Sequence, residues 1–200
     1  HIGGLGFLAQ AIDSNLIDSL ECIKNKKYQI EKRILLEINI QNHNHNHIYY
    51  ALNDAVVDHG NSGRILKSKV YIDDKHINNY ESDGVIISTP TGSTGYSLSS
   101  GGPIIIPNLD ILNITPISSH SLSARPIVIS SNSNIDIKFT EDFVDGALTI
   151  DGQKRITLSK NNIVKIKKAS HYAHLIILPF NDYITTLKEK MRWSGNSKDF

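Results

Sequence analysis

Between Asp83 and Pro103 the chain reads Asp-Gly-Val-Ile-Ile-Ser-Thr-Pro-Thr-Gly-Ser-Thr-Gly-Tyr-Ser-Leu-Ser-Ser-Gly-Gly-Pro, an apolar run leading into a stretch of hydroxyls and glycines. Such a stretch sets Thr and Ser oxygens beside bare backbone N–H groups, and its glycines let a ligand approach the main chain closely. Ribose hydroxyls, amides and phosphates are the ligands this chemistry suits. On composition alone a Ser/Thr-rich surface turn is the commoner outcome. Length and order, not composition, set this stretch apart.

Generic nucleotide and nucleophile motifs do not account for it. The chain has no Gly-Lys dipeptide, so the phosphate-cradling G-x-x-x-x-G-K-[ST] loop is absent. Gly92-Ser93-Thr94-Gly95 lacks the G-x-S-x-G spacing of a nucleophile elbow. Gly4-Leu5-Gly6-Phe7-Leu8-Ala9 fits the relaxed G-x-G-x-x-A pattern, but no strand precedes it, and the match is read as accidental. His43, His45 and His47 alternate with Asn, a spacing compatible with a metal but better explained as a solvated hairpin end. The pattern at Lys165, Lys167 and Lys168 reads as an exposed strand face.

The elements that must position these residues are mostly strands. Leu16, Ile17, Leu20 and Ile23 recur at helical spacing and predict one short amphipathic helix within Asp13 to Lys24, with Asp13 or Ser14 as N-cap. The period then changes to two: Tyr28, Ile30, Ile34, Leu36, Ile38 and Ile40 are expected on the buried face of a long strand, opposite Gln29, Glu31, Arg33, Glu37, Asn39 and Gln41. Further strand-like runs are Ile48 to Val57, Ile65 to Ile72, Gly84 to Ser88, Ile111 to Ile117, Pro126 to Ser130, Ile135 to Phe139, Ala147 to Ile150, Ile163 to Lys167 and His174 to Leu178. Turn signals separate many of them, at Asn61-Ser62-Gly63, Asp73-Asp74 and Asp145-Gly146. Many short strands without intervening helices predict a mainly β fold, an antiparallel β-sandwich, with the short N-terminal helix and a C-terminal helix at Tyr183 to Trp193. Asn181-Asp182 caps that last helix, and Ile184, Leu187 and Met191 form its apolar face.

Composition narrows the function classes. With 21 Lys plus Arg against 20 Asp plus Glu in 200 residues, there is no global basic field to hold a nucleic acid. The lone Cys22 forms no internal disulfide, which suits a reducing cytoplasm, and no apolar run reaches the roughly 20 residues of a membrane-spanning helix. The start on His1, directly at Ile2-Gly3-Gly4, is read as a truncation.

Taken in order, Gly4-Leu5-Gly6-Phe7-Leu8, Leu52-Asn53-Asp54-Ala55-Val56, the Asp83 to Pro103 stretch, Leu122-Ser123-Ala124-Arg125-Pro126 and Asp151-Gly152-Gln153 resemble the NAD kinases, with the bacterial branch nearer. The resemblance runs over nearly the whole chain, and the Asp83 to Pro103 block is its most specific part. It implies transfer of the γ-phosphoryl of ATP to the 2′-hydroxyl of the adenosine ribose of NAD. Asn53 and Asp54 match the pair that contacts the adenosine half of NAD, and Asp83 matches the acidic residue at the nicotinamide end. Thr91, Thr94, Gly95, Tyr96, Ser97, Leu98 and Ser99 match the loop that wraps the dinucleotide, and Gln153 matches a glutamine near the site, with Asp151 a further candidate. Arg64 stands where His or Arg occurs. Gly95 stands where Ala is usual, Glu81 where a basic residue is common, and Ile2 where a basic residue is frequent.

The same resemblance implies Mg²⁺ or another divalent cation with ATP, polyphosphate as an alternative donor, and homo-oligomers, dimers or tetramers. It places the catalytic carboxylate in a Gly-Gly-Asp-Gly loop upstream of Gly4. That loop is not in these 200 residues, so no catalytic residue is assigned here and the chain alone is expected to be inactive. The implied organisation is a remnant of an N-terminal α/β domain at 1–12, a dinucleotide-binding sandwich at 13–180, and a helix at 181–200 packing on the N-terminal domain. Ser119-His120-Ser121 then falls in the sandwich core, with His120 packed and hydrogen-bonded. The competing readings are a lipid kinase of the same superfamily, which needs an apolar acyl channel, a non-catalytic dinucleotide sensor, and a sandwich module without ligand.

Overall fold

The computed structural model describes residues 7, 8, 15–41, 46–121 and 123–193. The alternating His43 and His45, the segments Gly4-Leu5-Gly6 and Ala9, the cap candidates Asp13 and Ser14, and Leu122 lie outside the described residues. By contacts the chain divides into two compact units, 1–32 with 174–200, and 33–173.

The larger unit carries the sandwich. Its strands are β1 (Gln29–Gln41), β2 (Asn46–Ala51), β3 (Asp54–Asp58), β4 (Leu66–Ile72), β5 (Lys75–Ser82), β6 (Gly84–Ser88), β7 (Ile111–Ile117), β8 (Ile127–Ser130), β9 (Ile135–Phe139), β10 (Gly146–Ile150), β11 (Lys154–Leu158) and β12 (Ile163–Ile177), with β1 and β12 running on past its bounds. They form two six-stranded sheets, ordered β2-β1-β12-β9-β4-β5 and β11-β10-β3-β6-β7-β8. Every strand pair with a described register is antiparallel. Alternate residues of both sheets meet in one core: Ile34, Leu36 and Ile38 from β1, Val70 from β4, and Ile135 and Ile137 from β9 share it with Ala55 and Val57 from β3, Val85 and Ile87 from β6, and Leu112 and Ile114 from β7. Burying these faces is the main force holding the sheets together.

Several expectations are corrected in detail. The run from Ile48 to Val57 is two strands in different sheets, because the chain crosses from one sheet to the other at Leu52-Asn53. Alternation in β1 holds from Ile34 onward but fails before it: Ile30 is 52% exposed and Arg33 only 6%. The strands β5 and β11 went unread because Lys75–Ser82 and Lys154–Leu158 are rich in polar residues at sheet edges. The runs Ile163 to Lys167 and His174 to Leu178 merge into one continuous strand, β12, which ends at Ile177. His120 is exposed, not packed in the core, and its backbone N–H donates to the Glu81 carbonyl at 3.0 Å. The β4–β5 hairpin turns on Asp73 and Asp74, both left-handed (φ 48° and 63°), as a two-residue hairpin of this twist requires.

In the smaller unit, α1 (Leu16–Lys24) begins at Asn15 without a side-chain cap, and its stripe of Leu16, Ile17, Leu20 and Ile23 is exposed. The C-terminal helix (Tyr183–Met191) is capped by Asp182, whose carboxylate accepts the Thr185 N–H at 2.8 Å. Of its expected apolar face Leu187 is buried while Ile184 is 44% exposed. The Phe7 and Tyr183 rings lie 6.0 Å apart.

Candidate functional site

The crossing between the sheets builds the site. At Leu52-Asn53-Asp54 the backbone N–H groups have left one ladder before joining the next, and buried donors of this kind need partners. Asp151 supplies them. It sits in the left-handed region (φ 49°) of the β10–β11 turn, and its carboxylate accepts the N–H groups of Leu52 at 2.8 Å, Asn53 at 2.7 Å and Asp54 at 3.0 Å. Gln153 closes the same turn through its N–H to the Ile150 carbonyl, and its side chain is exposed.

The stretch after β6 packs on the crossing from the other side. Thr89 donates its N–H to the Asn53 carbonyl at 2.9 Å and its hydroxyl to the Leu52 carbonyl at 2.6 Å. Gly92 lies so close that a Cβ there would stand 2.1 Å from the Asn53 carbonyl oxygen. A 3₁₀ turn (Thr91–Thr94) and a single helical turn, α2 (Tyr96–Ser99), follow. Ser93 pins the loop from inside, donating to the Pro90 carbonyl at 2.7 Å and accepting the Ile105 N–H at 3.0 Å. Thr91 accepts from the buried Arg33 guanidinium at 3.4 Å. Gly95 and Ser99 are exposed, Tyr96 is 48% exposed, and Thr94 and Leu98 are half-buried. Ser97 is fully buried beneath them, its hydroxyl accepting from the Asn113 amide at 2.9 Å and lying 3.0 Å from the Thr115 hydroxyl.

Asp54 is the chemically distinctive group here. Its side chain is nearly buried, and a Cβ on Gly95 would stand 4.0 Å from its carboxylate. Burial, and next the negative charge of Asp151, push its carboxyl up to about 6. An acceptor that is ionised above that pH and roofed by a glycine and hydroxyl loop can take hydrogen bonds from a ligand's hydroxyl groups. Among the described residues no group of three or more His, Cys, Asp or Glu is placed to hold a metal ion. Asp151 already spends both carboxylate oxygens on backbone N–H groups, so the Asp54–Asp151 pair is no cation cage.

The structure gathers Asn53, Asp54, Thr91, Thr94, Gly95, Tyr96, Ser97, Leu98, Ser99, Asp151 and Gln153 at one end of the β3–β6–β10 ladder. It does not bring Asp83, Glu81 or Arg64 there. Asp83 precedes β6 at the opposite end, its N–H donating to the Ile117 carbonyl at 3.0 Å and its carbonyl accepting the His59 N–H at 3.2 Å. Five residue steps along a strand separate it from Ser88 by about 17 Å. Glu81 is exposed on β5, and Arg64 is exposed at a cavity of about 570 Å³ shared with Lys67, Asp142 and Val144. Sequence reasoning missed Arg33, Thr89, Ser88 and Asn113. Only the unbroken Ile34-Leu35-Leu36 after Arg33 hinted that the strand's outward face ends there.

The ATP-NAD kinase C-terminal domain model matches residues 52–178. The chain is 43% identical over 196 residues to an NAD kinase of Clostridium botulinum (strain Kyoto / Type A2), covering 96% of this chain and 68% of that protein. It is 39% identical over 192 residues to an NAD kinase of Caldanaerobacter subterraneus, with the same coverage. Among solved structures, yeast NADH kinase complexed with NADH superposes with a TM-score of 0.90 at 26% identity, over all of this chain and 59% of that one. An NAD kinase from Archaeoglobus fulgidus in complex with ATP gives 0.77 at 23% identity, over 95% of this chain and 71% of that one, a likeness of fold.

Proposed function

The chain belongs to the NAD kinase family, and from that premise we propose that it is the dinucleotide-holding part of a phosphotransferase that carries the γ-phosphoryl of ATP to the 2′-hydroxyl of the adenosine ribose of NAD. The observation that carries the reading is the Asp54 carboxylate, held by the backbone clamp of Asp151 and facing a Thr/Ser/Gly loop. A ribose edge offers hydroxyl donors to such a carboxylate and acceptors to the loop's hydroxyls. Tyr96 adds an exposed ring face for a base or nicotinamide.

Phosphoryl transfer asks the protein mainly to hold the acceptor in line and to stabilise charge. On this reading the described residues do the holding. Asp54 orients the ribose, the 91–99 loop covers the dinucleotide, and Asp83, at the far end of β6, serves the nicotinamide end. None of Asp54, Asp83 and Asp151 is given the role of general base. A divalent cation would come with the triphosphate and offset its charge; among the described residues no group of three or more His, Cys, Asp or Glu is placed to hold one. Homo-oligomers follow from the family only, and polyphosphate as donor is carried on the same footing.

The test is calorimetric titration of this chain with NAD at pH 7.5, beside Asp83→Asn. Binding is expected, weakened in the variant by roughly ten- to a hundredfold, the usual worth of about 1.5–3 kcal/mol for a hydrogen bond to an ionised acceptor. A well-folded chain that takes up no NAD would sink the reading. Equal affinity in the variant would remove Asp83 from the site.

A further inference from the structure

The outer face of the β3–β6–β7 ladder carries a polar row that runs from the ligand-holding Asp54 into residues that role does not use. Asp54 on β3 is the cross-strand partner of Ser88 on β6, and Ser88 is the partner of Asn113 on β7. Directly opposed residues point to the same face, with Cβ atoms about 4.5–5.5 Å apart. Ser88 and Asn113 are fully buried, and the Ser88 hydroxyl and the Asn113 carbonyl oxygen are each without a hydrogen-bond partner. Two orphaned buried polar atoms side by side are costly, and apolar residues would fill the same positions more cheaply. The Asn113 amide nitrogen is committed elsewhere, donating to Ser97 at 2.9 Å and to Thr115 at 2.7 Å under the loop.

We propose that Ser88 and Asn113 are positioning residues for Asp54, completing a hydrogen-bond row across β3, β6 and β7 that ends on the Ser97 hydroxyl at the base of the ligand-covering loop. The row has one proton arrangement that satisfies every member. With Asp54 protonated, its O–H donates to Ser88, the Ser88 O–H donates to the Asn113 carbonyl oxygen, and the Asn113 amide donates to Ser97. The register sets Ser88 between Asp54 and Asn113 on one face of the sheet. With Asp54 ionised, Ser88 turns its only proton to the carboxylate and the Asn113 oxygen is orphaned. The row therefore favours the protonated carboxyl and ties its ionisation to the seat of the loop. A ligand hydroxyl that donates to Asp54 selects the ionised form, so ligand uptake near pH 6 releases a proton.

The charged surroundings are few. Asp151 faces Asp54 from the β10–β11 turn, β6 and β7 carry no charged residue, Tyr96 is the titratable group of the loop, and Arg33 reaches the loop at Thr91. Ser88→Ala deletes the middle of the row and leaves this electrostatic setting in place.

The inference rests on the proposed NAD site for its functional meaning, and its experiment separates the two. The Asp54 carboxyl is titrated by carbon NMR in the ligand-free chain, in the parent, in Ser88→Ala and in Asn113→Ser. The parent midpoint is expected near 6 and both variants' midpoints lower, while still above the ordinary carboxylate range of about 4 because burial and Asp151 remain. Calorimetry with NAD in buffers of different ionisation enthalpy is the second arm, with proton release at pH 6 expected in the parent and reduced in both variants. A midpoint unmoved in both folded variants overturns the row, whatever NAD does. Shifted midpoints without any NAD binding keep the row and overturn the ligand assignment.

Discussion

Asp54 and Ser97 lie under the same loop, yet their exchanges should separate function from stability in opposite directions. The Asp54 carboxyl is raised to about 6 in the folded chain, chiefly by burial, against about 3.9 when unfolded. The folded state thus prefers the proton, so this group's relative stabilisation is present below about pH 4 and is lost as pH rises through about 6. Asp54→Asn should therefore melt at or above the parent temperature at pH 7, with the difference vanishing near pH 4. Each 1 kcal/mol is worth roughly 2–4 °C in a chain of this size. The same variant should lose at least about tenfold in NAD affinity. A lower melting temperature at pH 7 would show that the carboxylate is structural. Ser97→Ala should do the reverse, costing about 1 kcal/mol of stability through the Asn113–Thr115 network. Tyr96→Ala, at an exposed position, should weaken NAD binding more than Ser97→Ala and leave the melting curve in place. Equal effects of the two on calorimetric NAD affinity would make the loop a structural cover only.

At the scale of elements the decisive contact is between two backbones, the Leu52–Asp54 crossing and the loop after β6. Gly92→Ala would drive a Cβ to 2.1 Å from the Asn53 carbonyl oxygen, so the loop must lift off the crossing. A cost of roughly 1–3 kcal/mol and loss of NAD binding are expected. At Gly95 φ is negative (−94°) and the nearest atom to a new Cβ is the Gly92 carbonyl oxygen at 3.2 Å. Gly95→Ala should accordingly keep both fold and affinity, and denaturant melts with NAD titrations of the pair decide it. The alternation of Ile34, Leu36, Ile38 and Ile40 and the run Val85-Ile86-Ile87 were legible in the sequence because burial on one face or both leaves a periodic trace. So was the loop, since Gly, Ser and Thr declare a conformation as well as a chemistry. The crossing was not legible: Ile48 to Val57 is continuously strand-like, and the Asp151 carboxylate that takes up the freed N–H groups at Asn53 is distant in sequence. Arg33 escaped for a related reason, since an odd-numbered residue of a half-buried strand reads as solvated until the loop at Thr91 covers it. Ser88 and Asn113 are ordinary strand residues whose meaning depends on cross-strand register, which one sequence does not carry.

For the molecule as a whole the question is which part of the reaction these 200 residues can perform. The chain spans 68% of the length of its Clostridium botulinum relative and 59% of the yeast NADH kinase chain, and it contains no Gly-Gly-Asp-Gly sequence. Holding a ribose does not activate its hydroxyl. A missing general base alone typically forfeits about 10²- to 10⁴-fold in rate, and loss of the contacts to the triphosphate removes much of what remains. Asp151 cannot substitute, because three backbone N–H groups occupy its carboxylate. Asp83 stands about 17 Å of strand away from the loop. Asp54, with its carboxyl pushed up to about 6, is suited to proton transfer, which makes it the sharpest internal rival to an upstream base. The expected outcome is that this chain, assayed for NADP formation with ATP and Mg²⁺ at pH 7.5, shows no measurable turnover, while a version extended upstream through a Gly-Gly-Asp-Gly loop does. Asp54→Asn in the extended version should then raise KM for NAD far more than it lowers kcat, as loss of a binding contact does. Turnover by the short chain at a rate comparable to the extended one, abolished by Asp54→Asn, would transfer the catalytic role to Asp54 and undo the division between holding and activating the ribose.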